Sequence, residues 1–288
     1  RLAWLNMHAD GPEIRILLIG DIVGKVGREI VKEMLPGMRE SLGLDLVIAN
    51  AENSAAGSGI TPKIFSELQS AGVDLMTLGD HAWKRKDNLE VLKNEPLCLR
   101  PHNYPDEAVG KGWGVVATAD GIQVAHAIVL GRVFMDAVDC PLRCVDSILA
   151  ELPDDVKICI VEYHAEATSE KQAAGWYLDG RVTAVVGTHT HVLTADARFL
   201  TQGTAYISDL GMTGPYDSVI GREAKPVLHK FLTSMHAPFT VAEENVHLCG
   251  VLLSVNPETG KASSIRPVDI SRDGTVPFAH DVIQGTES

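Results

Sequence analysis

The chain has 288 residues, 45% of them hydrophobic, with 38 acidic side chains against 25 Lys and Arg and a net charge of −13. That length and apolar content suffice for a substantial core, and the composition resembles neither disorder, collagen nor a disulfide scaffold. The acidic balance excludes generic binding to DNA or to an anionic membrane, since both need a basic face.

Residues 1–13 are read as a tail with no assigned role and residues 14–288 as one domain, because no linker, repeat or low-complexity segment divides the chain. The opening RLAWLNMHADGPE lacks the basic start and apolar centre of a secretion signal, and no later run is long enough to span a membrane, so a cytoplasmic protein is expected. The elements then alternate: IRILLIGDI as a buried strand, GREIVKEMLPGMRESLG as helix, LDLVIANAEN as strand, TPKIFSELQSAG as helix and VDLMTLGDHAW as strand. Near-continuous apolar runs between helical patterns imply parallel strands covered on both faces, an α/β layout. Thr61 before Pro62 marks a helix start, an N-cap followed by proline in the first turn. Further on, GWGVVAT and IQVAHAIVLG flank the turn ADG as a hairpin. CVDSILAEL reads as helix, KICIVEYHAEA, RVTAVVGTHTH and TAYISDLGM as strands, and VHLCGVLLSVNPETGKASSIRPVDI as a hairpin turning at NPETGK. In AEATSEK, Ser169 is expected to cap a helix with Glu170 in its first turn.

Five apolar runs end in metal-ligand residue types. Asp21 follows ILLIG, Glu52 and Asn53 follow LVIANA, Asp80 and His81 follow LMTLG, His164 follows ICIVEY, and His189 and His191 follow AVVGT. Open α/β sheets gather their chemistry at such C-terminal strand ends, and turn propensity alone would deliver Gly, Ser and Pro there as well. On extended backbone, side chains at i and i+2 point the same way, so the imidazoles of His189 and His191 would face one spot just past their strand. A mixed oxygen and imidazole set of this length, without cysteine, exceeds one tetrahedral ion. Two ions roughly 3.5–4 Å apart, clamping an in-line displacement at phosphorus, fit better, and Glu52 in the middle strand is the natural bridge.

In their order and separations, GDIVGKVGR, ANAENSAAG, LGDHAW, YHAEATSEK and VGTHTHV resemble the YmdB-like branch of the calcineurin-type metallophosphoesterases, over about residues 14 to 270. The resemblance implies a four-layer α/β/β/α sandwich and a dinuclear Mn or Fe centre. It implies a phosphodiesterase for 2′,3′- or 3′,5′-cyclic nucleotides, acting through a hydroxide that bridges the ions. Asp21, Asn53 and His191 would then serve the first metal and Asp80, His164 and His189 the second, with Glu52 between them and His81 as general acid. The broader superfamily carries a metal-binding histidine two residues after the first aspartate; here Val23 stands there, as in this branch, where Asn53 compensates. One departure concerns Asp80, where the family motif has asparagine: an ionised carboxylate adds negative charge and removes an amide donor. That keeps two alternatives in view, a phosphomonoesterase or nucleotidase with the same metals and a regulatory metal- and nucleotide-binding module with little turnover. The expected partner is a small phosphodiester, and an exposed hairpin edge would allow a homo-oligomer.

Other signals are weaker. GDIVGKVGR fails as a phosphate loop, because only three residues separate Gly20 from Gly24 and Val26 follows Lys25. Its helix start offers backbone N–H groups to a phosphate, with Arg28 as a candidate aid. Tyr104 is read as packing against the domain, with base stacking as the alternative. His126, His229, His236 and His247 have no ligand context, and the close pair Cys140 and Cys144 lacks the partners of a zinc knuckle.

Overall fold

A computed structural model describes residues 12–274 together with residues 283 and 284. Residues 1–11 of the tail lie outside the described residues. The chain forms two mixed sheets. The first runs in the spatial order Ile283–Gln284, Ala262–Ser271, Val246–Val255, Ile14–Ile19, Leu46–Asn50, Leu75–Thr77 and Cys98–Leu99. Pairing is parallel from Ile14–Ile19 outward to Cys98–Leu99, and antiparallel through the hairpin on the other side. That hairpin turns where NPETGK predicts, with the Asn256 side chain accepting from the amides of Glu258 and Thr259 at 2.9 and 3.1 Å. The second sheet runs Arg198–Phe199, Ala205–Ile207, Ala184–Thr188, Ile158–His164, Gln123–Leu130 and Trp113–Ala117. Its four central strands are parallel, and the edge strand Trp113–Ala117 closes the predicted hairpin.

Because strand side chains alternate between faces, each central strand feeds two cores. Ile16, Leu18 and Ile48 of the first sheet meet Ile128, Ile160 and Val186 of the second in an inter-sheet core. Leu17, Ile19 and Val47 face the opposite way, against Ile30 and Leu35 of helix Gly24–Leu42 and Phe65 and Leu68 of helix Pro62–Ser70. Val129, Val161 and Val185 pack under Val145 of helix Pro141–Glu151 and under Ala174 and Leu178 of helix Thr168–Leu178. Runs apolar at every position, such as ICIV and AVVG, are thus explained by burial on both faces.

Two expectations change. Helix Lys86–Asn94 is not anticipated: its charged sequence KDNLEVLKN buries only Asn88, Val91 and Leu92. Ser169 is not a cap; Ala167 takes that position without a side-chain bond, and Ser169 lies within the first turn beside Glu170. Thr61 does cap, its hydroxyl accepting from the Ile64 amide at 3.2 Å.

The end of strand Ala184–Thr188, which delivers the histidine pair, is set by a close approach. A Cβ at Gly187 would overlap the Ser208 carbonyl and press on the Lys171 side chain. Gly187→Ala is therefore expected to lower stability by about 1–3 kcal/mol and to displace the strand end, read as a lower melting temperature and weaker metal uptake. Unchanged values of both would show that the approach is not tight.

Candidate metal centre

The sequence-predicted ligand residues converge at the C-terminal ends of strands from both sheets. His164, the last residue of strand Ile158–His164, is at the centre and fully buried. Its Nε2 lies 3.3 Å from Glu52 Oε1, 3.1 Å from Asp80 Oδ1 and 3.1 Å from His189 Nδ1. His189 Nδ1 is also 3.3 Å from Asp80 Oδ1. One ligand atom from each of these four residues falls within 4.8 Å of all the others, so the group could hold a metal ion. Spacings near 3 Å are the polyhedron edges that bonds of about 2.0–2.2 Å to nitrogen and oxygen produce.

Asp21, Asn53 and His191 form a neighbouring group that meets the first through Glu52 Oε1, which lies 3.2 Å from Asn53 Nδ2 and 3.3 Å from His164 Nε2. His191 Nε2 is 3.9 Å from Asp21 Oδ1 and 3.2 Å from Asn53 Nδ2, and that amide nitrogen is 3.2 Å from Glu52 Oε1. Asp21 Oδ1 is buried without a hydrogen-bond partner, and the other oxygen accepts from the His189 amide at 3.1 Å. A buried, unpaired carboxylate oxygen suits a cation. The unpaired Asp21 oxygen thus adds a candidate donor beside the four-residue group, whereas Asn53 turns its NH2 toward Glu52 and His191. The Asn53 oxygen turns toward His81, accepting from Nδ1 at 3.0 Å. His81 sits in the short 3₁₀ turn Asp80–Trp83, a quarter exposed, with Nε2 3.7 Å from Asp80 Oδ2.

The histidine pair does not lie on extended backbone. Both residues follow the strand in left-handed conformations, with φ of 97° at His189 and 63° at His191. The extended-backbone premise for the pair therefore fails, and such strain persists only where surroundings over-determine it. Here Asp209 does so: Oδ2 accepts from the Thr190 amide and hydroxyl at 3.0 and 2.8 Å and from Lys171 Nζ at 2.6 Å, and Lys171 also donates to the Thr188 carbonyl.

A second polar layer orients the candidate ligands. His191 Nδ1 donates to the Ile220 carbonyl at 2.9 Å, leaving Nε2 as the lone-pair nitrogen. His164 Nδ1 bonds Thr188 Oγ1 at 2.9 Å, and that hydroxyl donates to Glu162 Oε1 at 2.8 Å. Glu162 also accepts from Asn50, Thr77 and His126, at 2.8, 2.7 and 3.3 Å. Sequence reasoning missed Glu162, Asp209 and Lys171 and set His126 aside. Two signals were present: Glu162 interrupts an apolar run two residues before His164, on the same strand face, and Asp209 follows the strand Ala205–Ile207 as the ligands follow theirs.

The remaining candidates resolve as structural parts. Arg28 donates to the Ser54 carbonyl and pairs with Glu67. Tyr104 packs edge-on against Trp83, and His247 pairs with Asp269 at 2.6 Å. All five cysteines are free thiols. No helix among the described residues is long and apolar enough to cross a membrane.

The model of the YmdB-like protein family matches residues 17–268. A Bacillus subtilis (strain 168) protein named 2′,3′-cyclic-nucleotide 2′-phosphodiesterase is 43% identical over 90% of this chain and 98% of its own length. Two solved structures share the fold. A hypothetical protein from Thermus thermophilus is 42% identical with a TM-score of 0.83, over 90% of this chain and 99% of that one. A protein titled a novel phosphatase, from Mycoplasma pneumoniae, is 34% identical with a TM-score of 0.84, over 90% and 94%.

Protons balance the charge of the cluster. Burial pushes Asp21 up to about 8. Burial lowers His164, but the Glu52 carboxylate outweighs it and holds the imidazole well above its usual range. Burial raises Glu52 and Asp80; His164 overcomes this at Glu52, holding it at about 2, and hydrogen bonds from His164 and His189 hold Asp80 well below the carboxylate range. Between pH 3.8 and about 8 the folded chain keeps a proton on Asp21 that the unfolded chain releases, so this group makes stability fall as pH rises. His164 has the same sign: its contribution is complete below its ordinary 6.5 and lost above. Chelator-treated protein is expected to melt at progressively lower temperature from about pH 6 to pH 9, with a flatter slope for Asp21→Asn. A flat or rising slope in the parent would contradict this charge balance.

Proposed function

The chain belongs to the YmdB-like family, and on that premise we propose that it is a metal-dependent phosphodiesterase that opens 2′,3′-cyclic nucleotides. The observation that carries this reading is the convergence of carboxylate, amide and imidazole side chains from widely separated chain segments on a single cluster. The fold is read as the four-layer α/β/β/α sandwich, helices and sheet facing sheet and helices across the inter-sheet core. Two ions are proposed, with Asp21, Asn53 and His191 on one, Asp80, His164 and His189 on the other, and Glu52 shared. Carboxylate, amide and imidazole ligation without thiolate suits manganese or iron.

Bound ions would supply an acidified water as nucleophile and neutralise charge on the phosphoryl oxygens. The chain itself does the rest. Asn53 fixes the ring of His81 through Nδ1, leaving Nε2 to donate a proton to the departing ribose oxygen as general acid. His164 and His191 are oriented by Thr188 and Ile220 so that each offers its ring lone pair. The 2′ P–O bond breaks and a 3′-monoester remains; 3′,5′-cyclic nucleotides are a second candidate substrate. Asp80 places an additional negative charge 3.1 Å from His164 Nε2, which tightens ion binding and reduces the acidification of water.

Metal analysis of the purified protein is expected to find about two ions per chain. Glu52→Gln should lose at least one ion, and turnover should fall by more than the roughly 10- to 100-fold typical of an outer-shell partner. Retention of both ions and activity would remove Glu52 from the centre. His81→Gln should retain both ions and lose turnover by roughly 100-fold or more; loss of metal instead would mark His81 as a ligand. Asp80→Asn should release metal more readily to a chelator while turnover at neutral pH rises, and a fall in turnover would show that the carboxylate is needed. Parallel assays on 2′,3′-cyclic AMP, 3′,5′-cyclic AMP and an aryl phosphate separate the proposed diesterase from a monoesterase.

A further inference from the structure

We propose that Trp83 is the stacking platform for the base of the nucleotide, and that it sets the preference of this site for base-bearing over base-free phosphates. The inference rests on the reading above only in seating the phosphate at the Asp80 cluster. Residues Asp80–Trp83 form a single four-residue 3₁₀ turn. In a 3₁₀ helix, side chains at i and i+3 eclipse, displaced by about 6 Å along the axis. Trp83 therefore leaves the turn on the same side as Asp80, whose Oδ1 lies 3.1 Å from His164 Nε2. One turn beyond a phosphate held at that cluster, across the length of a ribose, is where a base would lie.

Hydrogen bonds hold the turn and a ring contact seats the indole. His81 donates its amide to Glu52 Oε2 at 3.1 Å, and Asn88 Nδ2 donates to the carbonyls of His81 and Ala82 at 2.8 and 3.0 Å. Tyr104 braces Trp83 edge-on, with ring centroids 5.3 Å apart and planes at 73°, which leaves the indole 36% exposed. The neighbour of Tyr104, buried Asn103, donates to the carbonyls of Leu130 and Asp139 at 2.8 and 3.0 Å and accepts from the Leu130 amide. An aromatic face fixed in this way stacks a base at little cost in ordering, and stacking tolerates any base because each has a π face.

The test compares the metal-loaded full chain with Trp83→Ala and Trp83→Phe, each checked for folding by its thermal melt. Calorimetry would measure binding of 3′-AMP and of inorganic phosphate, and assays would follow 2′,3′-cyclic AMP and the 2,3-cyclic phosphate of methyl riboside, which has no base. For Trp83→Ala, the preference for 3′-AMP over phosphate should fall by about 5- to 100-fold, and the preference in kcat/KM for the base-bearing cyclic phosphate by a similar factor, mostly through KM. Trp83→Phe should keep most of both preferences. Equal losses on base-bearing and base-free ligands would overturn the proposal, as would unchanged 3′-AMP binding. If the parent opens neither cyclic phosphate yet Trp83→Ala still weakens 3′-AMP selectively, the phosphodiesterase reading falls and the platform stands.

Discussion

Like-charge crowding is the constraint from which the rest of the molecule follows. Asp21, Glu52 and Asp80 place three carboxylates around His164, two of them fully buried. Carboxylates so close and so desolvated cannot all ionise unless positive charge is supplied. Protons on Asp21 and His164 supply part of it, and metal ions fit the same donors. A chain with a net charge of −13 has little general positive field to offer a phosphate, so cations concentrated at this one cluster would have to provide it.

The fold meets that constraint by packing two sheets face to face, so that their C-terminal strand ends meet at one place, and by tying them with a buried carboxylate. Glu162 accepts bonds from Asn50 and Thr77 of the first sheet and from His126 and Thr188 of the second. It thus joins the strand carrying His164 to the segments carrying Glu52 and Asp80. Because each bond satisfies a buried group, the layer is stable only when all its members are in place. Asp209 and Lys171 have a comparable duty around the histidine loop, where left-handed backbone is held by four hydrogen bonds. Ligand geometry here is a property of the polar layer beneath the ligands as much as of the ligands themselves.

The turn Asp80–Trp83 concentrates functions that are elsewhere spread along the chain. On the proposed reading it contributes a ligand, a general acid and a stacking surface within four residues. Three residues per turn send these side chains in three directions, with the fourth returning to the first. On that reading the carboxylate of Asp80 at its head makes this turn the place where affinity for metal and acidity of water would be exchanged.

Local regularities made much of this protein legible from sequence. Doubly buried strands read as continuous apolar runs, hairpins announce themselves by their turns, and Thr61 with Pro62 marks a helix start, because each depends on residues a few positions apart. The ligand candidates could be found one by one for the same reason: each ends a strand, and the ends of parallel strands lie on one side of a sheet. How the histidine pair is presented could not be read from strand periodicity, because His189 and His191 leave the strand on left-handed backbone held by contacts with Asp209 and Lys171. Glu162 joins residues up to 112 positions away in sequence, and Asp209 reaches back 38 positions to Lys171. Those pairings are set by the packing of whole sheets against each other, which is decided over the entire chain and leaves no fixed spacing in the sequence to read.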